Sequence, residues 1–228
     1  MRGFTIDWVT SHSLGLAVTA PVEIPAAKRV IDDIEVLGRA GTLTRLLGWE
    51  DTTIRVPVLI RGTDILARYQ TLTNLLQAAT RLTLSTQPGV YRRVKHAAVS
   101  PLIREGGSWG RCEITFTCLP FAYLVDNPKR TITAATTVVN PGSLPSAPVI
   151  TVVGTGTLTF TINGRTFTVK SPAGQITLDS DLLISHVAGG VQADGLIGDF
   201  PLLQPGANLF TPGVGVTRLE VTGNWRNP

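Results

Sequence analysis

Residues 157–169, TLTFTINGRTFTV, decide the fold class of this chain. Apolar and polar side chains alternate on both sides of the dipeptide Asn163-Gly164. A two-residue type I′ turn needs positive φ at both central residues, and Asn-Gly meets this need at little steric cost. The segment therefore predicts a β-hairpin with an aromatic pair on one face. Its predicted cross-strand pairs are Ile162 with Arg165, Phe160 with Phe167, and Leu158 with Val169.

The same alternation recurs outside this hairpin. Residues 53–60, 112–118 and 216–222 alternate as half-buried strands do. Pro57 lies inside the first of these segments, and because proline cannot donate a ladder hydrogen bond, it predicts an edge strand or a bulge. Cys112 and Cys118 share one strand face about 20 Å apart, beyond disulfide distance, so we expect two separate buried or half-buried thiols.

One segment has helical periodicity instead. In residues 64–79 the apolar or aromatic positions recur every three or four residues, which places one stripe along a helix. Thr63 is the predicted N-cap. We interpret the stripe as a face packed on a sheet, since a cofactor-binding role needs more than an apolar stripe. The stripe comprises Ile65, Tyr69, Leu72, Leu76 and Ala79.

Composition and proline placement set the domain organisation. Hydrophobic residues make up 43% of the 228 residues and charged residues 16%, with 23 Gly and 15 Pro, a balance typical of many short strands and turns. Residues 126–148 contain four prolines, which exclude a continuous helix or central strand there. The predicted fold is thus mainly β with one helix: an α+β N-terminal domain, residues 1–130, and an all-β sandwich, residues 131–228.

Charge and hydropathy narrow the function classes. The formal net charge is only +4, with no basic run longer than residues 91–95, so specific nucleic-acid binding is not expected. The first residues, MRGFTIDW, do not resemble a signal peptide, and no apolar stretch approaches the ~20 residues of a membrane span. We expect a protein made in a reducing cytoplasm and not inserted in a membrane.

Catalytic chemistry has no clear signature. The nearest approach to a cluster is Asp179, Asp181 and His186, but on an extended strand the two carboxylates share a face that His186 does not. Gly154-Thr155-Gly156 opens no helix, which argues against a dinucleotide site. Neither a nucleophile elbow, a Walker loop, HExxH nor CxxC occurs. The prediction is a non-enzyme without cofactor or metal.

Residues 198–210, GDFPLLQPGANLF, are apolar but cannot form regular structure throughout. Pro205-Gly206 fits the central positions of a type II turn, in which the second residue has positive φ. We expect the segment to be a packed connection rather than a ligand loop. The side chains expected on the sandwich core are Phe200, Leu202, Leu203, Leu209 and Phe210.

The order of several blocks resembles the distal tail (Dit) protein family of long-tailed siphophages. No single block is specific, but the order and spacing match over nearly the whole chain. The blocks are residues 36–60, the helix, FTCLPFAYLVDNP (116–128), residues 140–166, ITLDSD (176–181), residues 198–210 and the closing Trp225-Arg226. The turn at residues 38–41 and the corner at residues 118–121 contribute most beside the 198–210 loop.

This resemblance implies a structural virion protein. Family members form a six-copy ring at the distal end of the tail, with an N-terminal belt domain of tail-tube type and a C-terminal galectin-like β-sandwich. The ring joins the tail tube protein to the tail-tip or tail-associated lysin protein and leaves a channel through which DNA passes. Long insertions for receptor binding and the galectin H-x-N-x-R segment are both missing, so the sandwich is expected to be a scaffold.

The resemblance also suggests where neighbouring copies meet. The candidate subunit contacts are Gly38, Arg39, Gly41, Arg45 and Arg55, with the alternative that the arginines are merely solvated. A competing function is a carbohydrate-binding module for host attachment, with Trp225 and Tyr123 as stacking platforms; buried packing is the alternative role for both rings. A tail-associated hydrolase is disfavoured by the lack of paired carboxylates.

Overall fold

The structure, a computed structural model, describes residues 3–187, 190 and 194–228. It is mainly β, with a single helix in the part of the chain described, which confirms the predicted fold class. The chain divides into one unit that ends at Tyr123 and a second that covers Leu124–Asn227. The division falls shortly before the proline-rich segment. The roles assigned to residues 1–130 and 131–228 stay predictions.

The first unit contains short strands, one helix and three long strands. The elements are β1 (Phe4–Ile6), β2 (Val9–Thr10), β3 (Leu16–Val18), β4 (Arg29–Glu35), β5 (Thr42–Trp49), β6 (Thr52–Arg61), α1 (Ile65–Gln77), β7 (Arg81–Leu84), β8 (Val90–Val99), β9 (Ile103–Arg104) and β10 (Trp109–Leu124). Its main sheet has the strand order β2-β1-β7-β8-β10-β6-β3, with β9 also paired to β10. Strands β4 and β5 form a separate two-stranded sheet.

Pro57 is not at a sheet edge or a bulge, so that prediction is wrong. Strand β6 lies between β10 and β3, and its register with β10 is continuous, with Pro57 opposite Glu113. The Thr19 amide donates to the Pro57 carbonyl at 3.1 Å, just beyond the last residue of β3, Val18. The proline nitrogen faces that same side, where β3 has ended, so its missing donor breaks no ladder hydrogen bond.

Helix α1 packs on the sheet as its stripe predicts. Ile65, Leu72 and Leu76 are buried in the same core as β6 and β10. The N-cap is Asp64 rather than Thr63, and its side chain makes no capping hydrogen bond. The Thr63 hydroxyl donates to the Asp64 carboxylate instead, at 3.4 Å. The helix is a core element whose start is set by packing rather than by a strong cap.

The second unit is built from strands alone within its described residues. They are β11 (Arg130–Ile132), β12 (Thr136–Asn140), β13 (Val149–Val153), β14 (Gly156–Ile162), β15 (Arg165–Ser171), β16 (Gln175–Asp179), β17 (Ile184–Val187), β18 (Leu196–Ile197), β19 (Gly206–Pro212), β20 (Arg218–Thr222) and β21 (Arg226–Asn227). These strands include one sheet in the order β11-β20-β13-β16-β17 and another in the order β12-β19-β14-β15-β18. Both sheets contribute to one hydrophobic core, as in a β-sandwich.

The hairpin predicted from Asn163-Gly164 is confirmed. Strands β14 and β15 pair in the predicted register, and the two turn residues have φ of 50° and 82°. The Phe160 and Phe167 rings stack with centroids 5.3 Å apart. Local turn chemistry thus fixes the register of this sheet.

The 198–210 connection packs only in part as expected. Leu203 and Phe210 are buried and Phe200 is half-buried against the core, whereas Leu202 and Leu209 are exposed. Leu209 is exposed because it alternates with Asn208 and Phe210, which are buried on the opposite side of β19. Gly206 has φ of +84°, as the predicted turn requires.

Candidate functional site

The β4–β5 hairpin is the most unusual feature of the first unit. Ile34 lies opposite Leu43 and Ile31 opposite Leu46, with an irregularity near the base. Every residue from 31 to 48 is exposed, so neither face of the hairpin is covered by the chain's own core. A two-stranded sheet of this kind has little independent stability in water.

Large aliphatic side chains lie on both faces of this hairpin. Leu37 is fully exposed, and Leu46 and Ile31 are 60% and 54% exposed. Soluble proteins rarely expose so many apolar side chains in one place unless they form an interaction surface. The exposed set is Ile31, Ile34, Val36, Leu37, Leu43, Leu46 and Leu47. We call this set the hairpin surface.

The base of the hairpin is anchored within the first unit. The Arg29 guanidinium lies 4.3 Å from the centroid of the Trp49 ring, and Trp49 meets Phe121 edge to face at 5.4 Å. Lys28 and Glu50 form an ion pair at 3.1 Å across the base. These contacts fix where the hairpin leaves the sheet but leave its distal part uncovered.

Four of the five predicted contact residues lie on this hairpin. Gly38 and Gly41, both with φ of +81°, flank Arg39 in the turn, and Arg45 lies on β5 opposite Asp32. The Arg39 amide donates to the Val36 carbonyl at 3.1 Å, which closes a tight turn with Gly38 at the position of positive φ. Arg55 lies apart from them, exposed on β6. Their contact with another subunit stays a prediction.

Sequence reasoning missed the aliphatic residues that dominate this surface. A strand that packs on one side shows apolar residues at alternate positions, whereas residues 30–47 contain them at both odd and even positions. Such a pattern around a glycine turn indicates a hairpin that is apolar on both faces. This pattern could have predicted the hairpin surface from the sequence.

Asp179, one of the residues in the nearest approach to a catalytic cluster, has a structural role, and the two predicted separate thiols are buried. The Asp179 carboxylate accepts the amides of Asp181 and Leu182 at 3.0 and 3.1 Å, which caps the turn after β16. Burial raises the pKa of Cys112 and of Cys118 to about 11, so both remain neutral thiols. Within residues 3–187, 190 and 194–228, no cluster of three or more His, Cys, Asp or Glu has the arrangement of a metal site.

The two proposed sugar platforms are unsuitable because their rings are buried. Trp225 is 4% exposed in the core of the second unit, and Tyr123 is 3% exposed. Stacking on a sugar needs an accessible ring face. In the described part of the chain, no helix combines the length and hydropathy needed to cross a bilayer.

Two solved structures with a similar fold are phage proteins. The chain is similar to the crystal structure of SPP1 Dit, a paradigm of the hub adsorption apparatus in Gram-positive infecting phages, with TM-score 0.65, 18% identity, and 97% and 98% of the two chains covered. It is also similar to a chain of the phage P2 baseplate in its Ca-activated conformation, with TM-score 0.55, 10% identity, and 100% and 98% covered. Neither a protein-family model nor a curated protein matches the sequence. At the level of fold, the resemblance to Dit proteins is confirmed.

Proposed function

We propose that this chain is a structural hub protein of a phage tail, which assembles as a ring at the distal end of the tail. The observation that carries the proposal is the hairpin surface: an apolar, two-faced hairpin on a Dit-like fold. The fold supports a tail-tip role because the similar structures are a hub protein and a baseplate component. The hairpin supplies the physical reason for assembly.

The hairpin surface favours contact between different patches of neighbouring copies. In the proposed contact the hairpin of one copy fits a different surface on the next copy, which is a heterologous contact. Heterologous contacts produce a closed ring when the rotation between copies divides a full turn. Six copies, as in the Dit family, are the proposed number. Closure also covers the free strand edges of β4 and β5, which would otherwise promote aggregation.

The proposed ring joins the tail tube protein to the tail-tip or tail-associated lysin protein. Its central channel lets DNA pass, so contact with DNA is transient and needs no sequence-specific site. The protein acts in the virion after assembly in the host cytoplasm. It performs no catalysis, and its second unit is a structural sandwich without a sugar site.

Mass photometry and negative-stain electron microscopy of the purified chain test this proposal. We expect rings of six copies with a central opening at micromolar concentration. Pull-down of the tail tube protein encoded by the same phage then tests the tail role. A stable monomer that also fails to bind the tube protein would refute the hub function.

A further inference from the structure

A groove runs beside β3, the last strand of the main sheet of the first unit. It encloses about 810 Å³ and lies among β1, β2, β3 and β7. Its apolar wall includes Phe4, Leu16, Val18 and Leu84, and Arg61 and His12 supply basic groups at its side. An extended segment with apolar side chains would fit a groove of this size and composition.

The groove also exposes the backbone edge of β3. On the other side of this strand, the Arg61 amide donates to Gly15 and the Thr19 amide donates to Pro57. Because backbone groups alternate in direction along an antiparallel strand, the carbonyl of Leu16 and both backbone groups of Val18 point away from β6. No strand of the described residues pairs with this edge. The Leu16 amide donates to the Ser11 carbonyl at 2.9 Å, so the groups open to an added strand are the Leu16 carbonyl and both backbone groups of Val18.

The hairpin, residues 29–49, carries three arginines and three carboxylates, and its carboxylates are concentrated on β4, where they complement the basic groups of the groove. The described groove lining contains Arg61 and His12 but no Asp or Glu. Beyond Arg29, which stacks on Trp49 at the base, strand β4 contains three carboxylates, Asp32, Asp33 and Glu35, all exposed. Opposite charge on two apolar surfaces fixes the orientation of docking and disfavours wrong partners. Strand β4 also has a free edge, because among the described residues it pairs with β5 alone.

We propose that the groove along β3 receives strand β4 of a second copy of this chain, which adds to the sheet edge. This inference rests on the proposed ring and names the two surfaces that meet in it. The chain's own β4 does not add to its own β3 edge, since in the described part of the single chain β4 pairs only with β5. Aliphatic side chains of the hairpin surface pack against the apolar wall of the groove, and the carboxylates of β4 lie near Arg61. Each copy then donates a hairpin to one neighbour and a groove to the other.

Crosslinking between two different single-cysteine variants tests this contact. Val18→Cys marks the groove and Ile34→Cys marks the hairpin, and the two are co-expressed with different tags so that rings are mixed. A short bis-maleimide is the probe. The native Cys112 and Cys118 do not interfere because both are buried. We expect a crosslinked dimer that carries both tags, and only background dimer from either variant alone or from the unmodified chain.

The outcomes separate this inference from the function on which it rests. Rings that form without the two-tag dimer overturn the groove as the hairpin's site but leave the hub proposal standing. Absence of rings in the unmodified chain overturns the hub proposal itself. A dimer that forms equally well from Ile34→Cys alone means that hairpins meet one another, which also overturns the inference.

Charge reversal gives a second, independent readout. Arg61→Glu places a negative charge beside the carboxylates of β4, so we expect the apparent dissociation constant for assembly to rise roughly threefold to tenfold at low salt. The matched control is Arg104→Glu, an exposed arginine on β9 outside the groove. Both variants should unfold at the same urea concentration as the parent chain. Equal effects of the two reversals on assembly overturn the proposed charge pairing.

Discussion

Ile31 and Leu46 offer the sharpest test of the hairpin surface, since they face each other across β4 and β5. Their side chains are 54% and 60% exposed. Full burial of such a side chain stabilises by about 1.5 to 3 kcal/mol, so covering the exposed part of both contributes roughly 2 kcal/mol per contact. The double variant Ile31→Thr and Leu46→Thr keeps residues that favour strands but removes most of this burial free energy. We expect a dissociation constant about 30-fold higher.

Sedimentation velocity over a concentration series measures this shift, and urea unfolding measures the stability of the chain itself. The control is Leu182→Thr in the second unit, a leucine that is 65% exposed and lies outside the hairpin. We expect the control to assemble as the parent chain does. If the double variant also assembles with unchanged affinity while its folding is intact, the hairpin surface is not the site of association.

Three further predictions concern the fold. Asn208→Ala removes a fully buried amide that bonds to both Gln204 backbone groups, the Gly206 carbonyl and the Asn163 side chain. Urea unfolding should therefore show that the free energy of unfolding falls by about 2 to 3 kcal/mol. The control Leu209→Ala, at the exposed neighbouring residue, should cost well under half of that. Phe200→Ala should lower the stability of the second unit by about 1 to 2 kcal/mol and leave assembly unchanged; unchanged stability with lost assembly would mean that Phe200 binds a partner. Cys112 and Cys118, with pKa about 11, should not react with Ellman's reagent at pH 8 until the chain unfolds, and fast reaction of the native protein would contradict their burial. Their contribution to stability should be present below about pH 8.5 and lost as pH rises towards 11, because the thiols of the unfolded chain lose their protons at lower pH.

Elements with strong local chemistry were predictable from the sequence. Asn163-Gly164 fixes a register because few other dipeptides accept positive φ twice, and the structure has that register. The helical stripe was equally clear, since spacing alone distinguishes it from the surrounding strands. Both signals depend on residues close in sequence.

Features set by distant partners were not predictable in the same way. A proline places its strand at the sheet edge only if a neighbouring strand would otherwise need a hydrogen bond from the proline nitrogen. Strand β3 ends at Val18, which pairs with Val58, so no residue of β3 lies opposite Pro57. The exposure of Leu209 depends on which face of β19 meets the core. For the candidate site, the turn at residues 38–41 was anticipated from the resemblance. The aliphatic residues around it were not, because residues that pack on another chain follow no periodicity set by their own core.

The hairpin combines a fixed base with a free distal part, and this combination is suited to assembly. Contacts of Trp49 with Arg29 and Phe121 hold the base, whereas the chain's own core covers no residue from 31 to 48. Ordering a strand costs about 1 to 2 kcal/mol per residue in backbone entropy, which an isolated two-stranded sheet barely offsets. A neighbouring groove would supply the missing burial and a third strand. Association and ordering of the hairpin would therefore be coupled. In a copy outside the ring, the least ordered residues would be 31–48, which form the contact in the proposed ring.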